Sequence, residues 1–108
     1  IRSSSEKFNC TYLYINQLGN EAGKIIYDGD VILAQQGTIK ALNRRLTFKD
    51  FDILTCQINL DDPAASSTNI ESDSKEKNEE LAQAVSLALF DYLRKSKAKG
   101  FVLSLSGG

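Results

Sequence analysis

Residues 61 to 77 read DDPAASSTNIESDSKEK. This stretch contains the chain's only proline and almost no apolar side chain, so it buries too little surface to offset the entropy of ordering it. It reads as a polar linker that separates two neighbourhoods with different patterns, each expected to leave unpaired strand edges and exposed apolar faces. The isolated 108-residue segment is therefore expected to be marginally stable or to aggregate.

The first neighbourhood reads as strands and hairpins. TYLYIN, KIIYDG, DVILAQQGTIKAL and DFDILTCQINL are rich in β-branched and aromatic residues and are separated by turn signals. Gln36-Gly37 sits between two apolar stretches and predicts a tight hairpin with Gly37 at positive φ. In FDILTCQINL, alternation places Asp52, Leu54, Cys56, Ile58 and Leu60 on the better core face, so Cys56 is read as a small buried hydrophobe. The segment NQLGNEAGK, residues 16 to 24, is read as a turn; Asn16, Asn20 and Glu21 are its candidates for the rim of a pocket.

The second neighbourhood opens with a helix over residues 78 to 99. Leu81, Val85, Leu89 and Leu93 recur every four residues, Ala88 and Tyr92 widen the same face, and this face is expected to be buried. Asn78 is read as the N-cap, Glu79 and Glu80 as dipole partners at the start, and Gly100 as a left-handed C-terminal cap. Arg94, Lys95, Lys97 and Lys99 read as a solvated helix terminus in preference to a phosphate contact. After the helix comes FVLSLSGG, in which Phe101 to Leu105 read as a short buried strand leading to a glycine-rich turn. Helix, strand and Gly-rich turn is the order of an α/β nucleotide fold, where ligands sit beyond the carboxyl ends of parallel strands. Glycines let backbone amides approach an anion, and Ser106 adds a hydroxyl donor. Ser-Gly-Gly also ends many tags and linkers; the apolar run before it favours the phosphate reading.

Composition narrows the chemistry. The net charge of −1 offers no general attraction to nucleic acid or anionic membrane, and no apolar run approaches the ~20 residues of a bilayer span. With no targeting signal and two isolated cysteines, the chain reads as a cytoplasmic protein with free thiols. There is no histidine, so a Ser-His or Cys-His catalytic unit cannot be assembled from this chain. Cys10 has no visible base beside it, and the pairs Asp28/Asp30 and Asp61/Asp62 read as turn-solvating carboxylates instead of metal ligands.

With these pieces in order, the sequence resembles the glutamine-dependent NAD synthetases, in which a nitrilase-like glutaminase precedes an ATP-pyrophosphatase-type synthetase. YLYINQLGNEAGKIIYDGDVILAQQG is similar to the last strands of the glutaminase, and ELAQAVSLALFDYLRKSKAKGFVLSLSGG to the opening of the synthetase. The implied fold class is an α/β fragment: the last strands and hairpin of a nitrilase-like α-β-β-α sandwich, then a linker, then the first helix and strand of a Rossmann-like domain. The implied boundaries are 1–60 for the glutaminase part, 61–77 for the linker and 78–108 for the synthetase part.

The resemblance implies a ligase that uses ATP, with Mg²⁺ on its phosphates, to convert deamido-NAD to NAD with ammonia drawn from glutamine. A homo-oligomer is implied for the full-length enzyme. Ser106, Gly107 and Gly108 match the start of the S-G-G-x-D-S pyrophosphate loop, and Ser104 and Leu105 precede it where the backbone passes the nucleotide. The Asp and second Ser of that loop are expected after residue 108, and the Cys-Glu-Lys glutaminase triad before Ile1. No catalytic or metal-ligating residue is therefore expected within the chain, and the fragment alone is expected to be inactive. Two other readings remain: a different pyrophosphatase-loop ligase, such as a GMP, asparagine or tRNA-modifying synthetase relative, and a non-catalytic module docking through the apolar helix face.

Overall fold

The computed structural model describes residues 1–71, 75–105 and 107. Strands form at four of the predicted places: Thr11–Ile15 (β1), Ile25–Asp28 (β3), Val31–Gln35 (β4) and Thr38–Leu42 (β5). β4 and β5 close around Gln36-Gly37, with Gln35 opposite Thr38, and both turn residues have positive φ, 46° and 78°. That is the mirror-image turn whose twist suits a two-residue hairpin. β1 lies antiparallel to β4, from Thr11 opposite Gln35 to Ile15 opposite Val31. A short N-terminal helix, α1 (Arg2–Lys7), supports the hairpin: Ser5 Oγ accepts the Gly37 N–H at 2.9 Å and Arg2 Nε donates to the Gly37 carbonyl at 3.0 Å.

Residues 16 to 24 form more than a turn. Leu18–Glu21 is a strand, β2, paired antiparallel with β3, and Ala22, Gly23 and Lys24 make the reversal, the first two at φ 52° and 71°. Conversely, 51–60 is not a strand. Its alternation survives, with Asp52, Leu54, Cys56 and Ile58 half-buried and the odd-numbered residues exposed, although Leu60 is also exposed. Its partners, however, are largely side chains. Ser67 Oγ accepts from Gln57 N–H, Ser66 Oγ from Asn59 N–H, and Asn69 Nδ2 donates to the Thr55 carbonyl. A backbone satisfied by hydroxyls and an amide runs extended without forming a ladder.

Those partners lie in the stretch expected to be an unstructured linker. Pro63–Ala65 form one 3₁₀ turn capped by the Asp62 carboxylate. Asn69–Ile70 form a two-residue strand, β6, parallel to β5. Buried Ser66 donates to Gln35 Oε1 at 2.8 Å, while Gln35 Nε2 donates to the Asn59 carbonyl at 2.8 Å. Hydrogen bonding, not apolar burial, orders this segment, and low apolar content misses that.

The long helix α2 spans Lys77–Ser96. Glu76, not Asn78, occupies the N-cap, and Lys97 in the left-handed conformation (φ 56°) ends the helix three residues before Gly100. The buried face also differs from the expected one. Leu87 and Asp91 are buried, and Glu80, Gln83, Ala84 and Ala88 are half-buried beside them, against β2 and β3. Leu81, Val85, Leu89 and Tyr92 point outward, with Leu81 64% exposed. The helix has turned its small and polar residues inward, because the hairpin presents the polar backbone of Asn20 there and the segment after β5 presents Arg45 and the Leu46 carbonyl.

Residues 101–105 form no strand and are exposed, Val102 fully so. A parallel strand needs a neighbouring strand to pair with, and none lies beside this run among the described residues. Phe101 instead stacks on Tyr92, ring centroids 6.4 Å apart. Among the described residues the buried apolar side chains are few, namely Ala34, Ala41, Leu46 and Leu87, and buried polar ones including Asn20, Gln35, Asn43, Ser66 and Asp91 outnumber them. The radius of gyration is 17.8 Å, where a compact chain of this size is near ~13 Å. The chain is thus held by polar staples along an elongated body.

Candidate functional site

The site with the most built geometry lies where α2 crosses the β2–β3 hairpin. At one end of this seam, Asp91 Oδ2 accepts the Asn20 N–H at 2.7 Å and pairs with Lys95 Nζ at 2.7 Å. Lys95 Nζ also donates to the Asn20 carbonyl at 2.6 Å, so the helix grips both backbone groups of one hairpin residue. Asp91 Oδ1 accepts from Arg94 Nη2 at 2.6 Å, and Arg94 also pairs with the Asp50 carboxylate. Gly19 makes the approach possible: a Cβ there would lie 2.5 Å from Asp91 Oδ2, and its φ of 99° is one that side chains rarely adopt. Asn20 Oδ1 in turn accepts the Gly23 N–H at 2.8 Å, fixing the reversal.

At the other end, a cavity of about 280 Å³ is lined by Asp30, Asn43, Arg45, Leu46, Glu80 and Gln83 together with Leu42 and Lys75. Arg45 bridges its two sides, 2.8 Å from Glu80 Oε1 and 3.6 Å from Asp28 Oδ2. Burial works against the guanidinium, but Glu80, Asp28 and Asp30 together hold its pKa above the ordinary value. Asp30 Oδ1 is buried without a hydrogen-bond partner. Burial and then the neighbouring Asp28 raise the Asp30 carboxyl above the usual range, against the opposing pull of Arg45. Buried Asn43 anchors the turn between β3 and β4, accepting from Val31 N–H at 2.7 Å and donating to the Gly29 carbonyl at 2.8 Å. The cavity therefore offers Arg45 as a donor and Asp30 as an acceptor to a polar occupant.

The residues singled out in the sequence are distributed differently. Asn16 donates to Asp28 Oδ1 at 2.7 Å, and Glu21 accepts the Tyr27 hydroxyl at 2.7 Å, a bond that raises the phenol's pKa. Asn20 lines a shallow cavity with Gly23, Tyr92 and Lys95. Asp62 caps the 3₁₀ turn and Asp61 precedes it, its N–H bonded to Asn59 Oδ1, and among the described residues no three Asp, Glu or Cys side chains converge as a metal site would need. Cys10 and Cys56 are both free and half-buried; Cys56 faces backbone carbonyls, so its environment is more polar than that of a core hydrophobe. Ser104, Leu105 and Gly107 lie on the exposed C-terminal run, away from the helix seam, while Ser106 and Gly108 lie outside the described residues. Arg94 and Lys95 are not merely a solvated terminus, since both hold Asp91. Asp91 and Arg45 were missed because neither a single helical carboxylate nor the Arg44-Arg45 pair has a local signature of such a role. The i, i+4 spacing of Asp91 and Lys95 is the signal that could have flagged Asp91.

Fold and site together define a small α/β segment, a mixed sheet and a hairpin joined to one long helix by a polar seam. No family model matches the chain. The chain aligns end to end with the crystal structure of a glutamine-dependent NAD(+) synthetase from Cytophaga hutchinsonii, at 46% identity and a TM-score of 0.77, and covers 16% of that protein. It is 27% identical to a glutamine-dependent NAD(+) synthetase of Oryza sativa subsp. indica, over 90% of this chain and 18% of that one. It is 25% identical to a putative enzyme of the same name from Schizosaccharomyces pombe, over 100% of this chain and 21% of the relative. The resemblance read from the motifs therefore holds over the whole chain, which spans about a fifth of the curated relatives it matches. Those two alignments run over 133 and 146 positions, so the relatives carry insertions that these 108 residues lack. No helix among the described residues is long and apolar enough to cross a membrane.

Proposed function

We propose that this chain is a segment of a glutamine-dependent NAD synthetase, a ligase that joins ammonia to the carboxylate of deamido-NAD. Glutamine and water give glutamate and ammonia; ATP adenylates the carboxylate and releases pyrophosphate; ammonia displaces AMP to give NAD. The end-to-end match to the Cytophaga enzyme carries the reading.

Within it, residues 1–60 form the end of the glutaminase part, 61–77 the junction and 78–108 the start of the synthetase part. Ser104 to Gly108 begin the loop that holds the ATP phosphates, where backbone amides and a serine hydroxyl suit an anion. These residues carry no carboxylate and do not by themselves fit Mg²⁺, a cation that binds through oxygen ligands such as carboxylates and phosphates. The metal's protein ligands, like the glutaminase triad, would come from outside this chain. In this reading the full-length enzyme is a soluble homo-oligomer.

The test is NAD formation by the full-length enzyme from deamido-NAD and ATP, with either glutamine or ammonium chloride as nitrogen donor. NAD from both donors is expected. Amination of XMP or modification of a tRNA, without NAD formation, would remove the proposal.

A further inference from the structure

The geometry points to Asp91 and Lys95 as a positioning pair that holds the synthetase segment on the glutaminase hairpin, setting how much of the ammonia released from glutamine is captured as NAD. This rests on the enzyme reading above and assigns a role in it to two residues of the helix seam, outside the Ser104 to Gly108 run.

Asp91 is 2% exposed and would be costly to bury without partners, yet both of its oxygens are engaged by cations. One of those cations, Lys95, closes a ring: Asn20 N–H to Asp91, Asp91 to Lys95, Lys95 to the Asn20 carbonyl. Such a ring fixes position along the helix as well as distance, because a shift of one turn would remove both bonds to Asn20 at once while Arg94 and Lys95 moved with Asp91. Apolar contact contributes little alternative hold, since Leu87 is the only fully buried apolar residue of α2 among the described residues. An ion pair with a buried carboxylate is weak evidence for stability and can instead fix register. When one part of an enzyme makes a small diffusible product and another consumes it, their registration decides the fraction that escapes. Loosening the ring should therefore uncouple the two halves before it stops either.

The experiment uses the full-length enzyme with Asp91→Asn and, separately, Lys95→Met. The ratio of glutamate to NAD released is measured with glutamine, and the NAD rate is measured with saturating ammonium chloride. The ratio is expected to rise roughly threefold or more in Asp91→Asn and less in Lys95→Met, with the ammonia-driven rate within about twofold of the parent. A ratio unchanged in both variants, or glutamine- and ammonia-driven rates that fall in proportion, overturns the proposal. If Asp91→Asn does not fold, Lys95→Met decides alone, because Lys95 is half-exposed and its removal leaves Asp91 paired with Arg94. A parent enzyme that makes no NAD from ammonia would instead remove the enzyme reading, an outcome distinct from unchanged coupling.

Discussion

The two faces of α2 do opposite things. One carries Glu80, Gln83, Leu87, Asp91 and Lys95; Asp91 and Lys95 bond it to Asn20 of the hairpin, and Glu80 and Gln83 to Arg45 and the Leu46 carbonyl in the segment after β5. The other carries Leu81, Val85, Leu89 and Tyr92 at the spacing of a buried stripe and lies open. Periodicity identifies a face that wants burial, but burial goes to whichever face a neighbour is shaped to receive. The hairpin offers backbone polar groups and a glycine and so takes the polar face. The apolar stripe stays uncovered among the described residues, and the chain covers 16% of the Cytophaga protein.

The comparison breaks most severely at Gly19. Gly19→Ala places a methyl 2.5 Å from Asp91 Oδ2 on a residue with φ 99°; positive φ and overpacking together are expected to cost about 2–4 kcal/mol. Hydrogen exchange of the Asn20 amide, whose acceptor is Asp91, should accelerate accordingly. Unchanged protection would mean the carboxylate yields without loss of the seam.

A pair of truncations separates the faces. In the 108-residue chain, Leu87→Ala is expected to cost about 2–4 kcal/mol as a buried deletion, while Leu89→Ala stays within about 0.5 kcal/mol as a surface change. In the full-length enzyme the Leu89 cost should rise toward that of Leu87. Thermal or denaturant melts check the two contexts, and equal Leu89 costs in both would show that the stripe remains uncovered.

The sheet offers a smaller break of the same kind. Ser66→Ala removes the hydroxyl that donates to Gln35 and accepts from Asn59, leaving buried Gln35 Oε1 short of a partner. About 1–3 kcal/mol is expected, with exchange quickening at the Asn59 amide. Loss confined to Asn59, with β4 unaffected, would separate the segment from the sheet.

What the sequence showed and hid follows from the reach of each interaction. Gln36-Gly37 and the β-branched runs of β1, β3, β4 and β5 act between near neighbours, so their pattern is local and legible. So is α2, to within a residue at its start and three at its end. The ordering of 61–71 was hidden because Ser66 and Asn69 look solvated until Gln35 and Thr55 are brought to them. Asp91 was hidden for the same reason, its partner Asn20 lying 71 residues away. Phe101 to Leu105 read as a strand by composition, yet a strand is a property of a pair, and this chain supplies one member.

The least perturbing test concerns the cavity at the other end of the seam, and its sign follows from Asp30. Burial and Asp28 raise the folded carboxyl's pKa, while Arg45 lowers it less. A raised pKa means the folded state favours the protonated acid, so this contribution is fully present below the ordinary carboxylate pKa and is lost as pH rises through the raised one. Asp30→Asn keeps the shape without the charge. It should therefore be more stable than the parent at neutral pH, by about a few tenths of a kcal/mol once solvent screening is counted, because the charge disfavoured by burial and Asp28 is gone, and the gain should vanish toward about pH 3. Melting temperatures of parent and variant across that range check it. A difference that does not change with pH would mean that Arg45, bridging Asp28 and Glu80, already compensates the charge, and that both ends of the seam are fully paired.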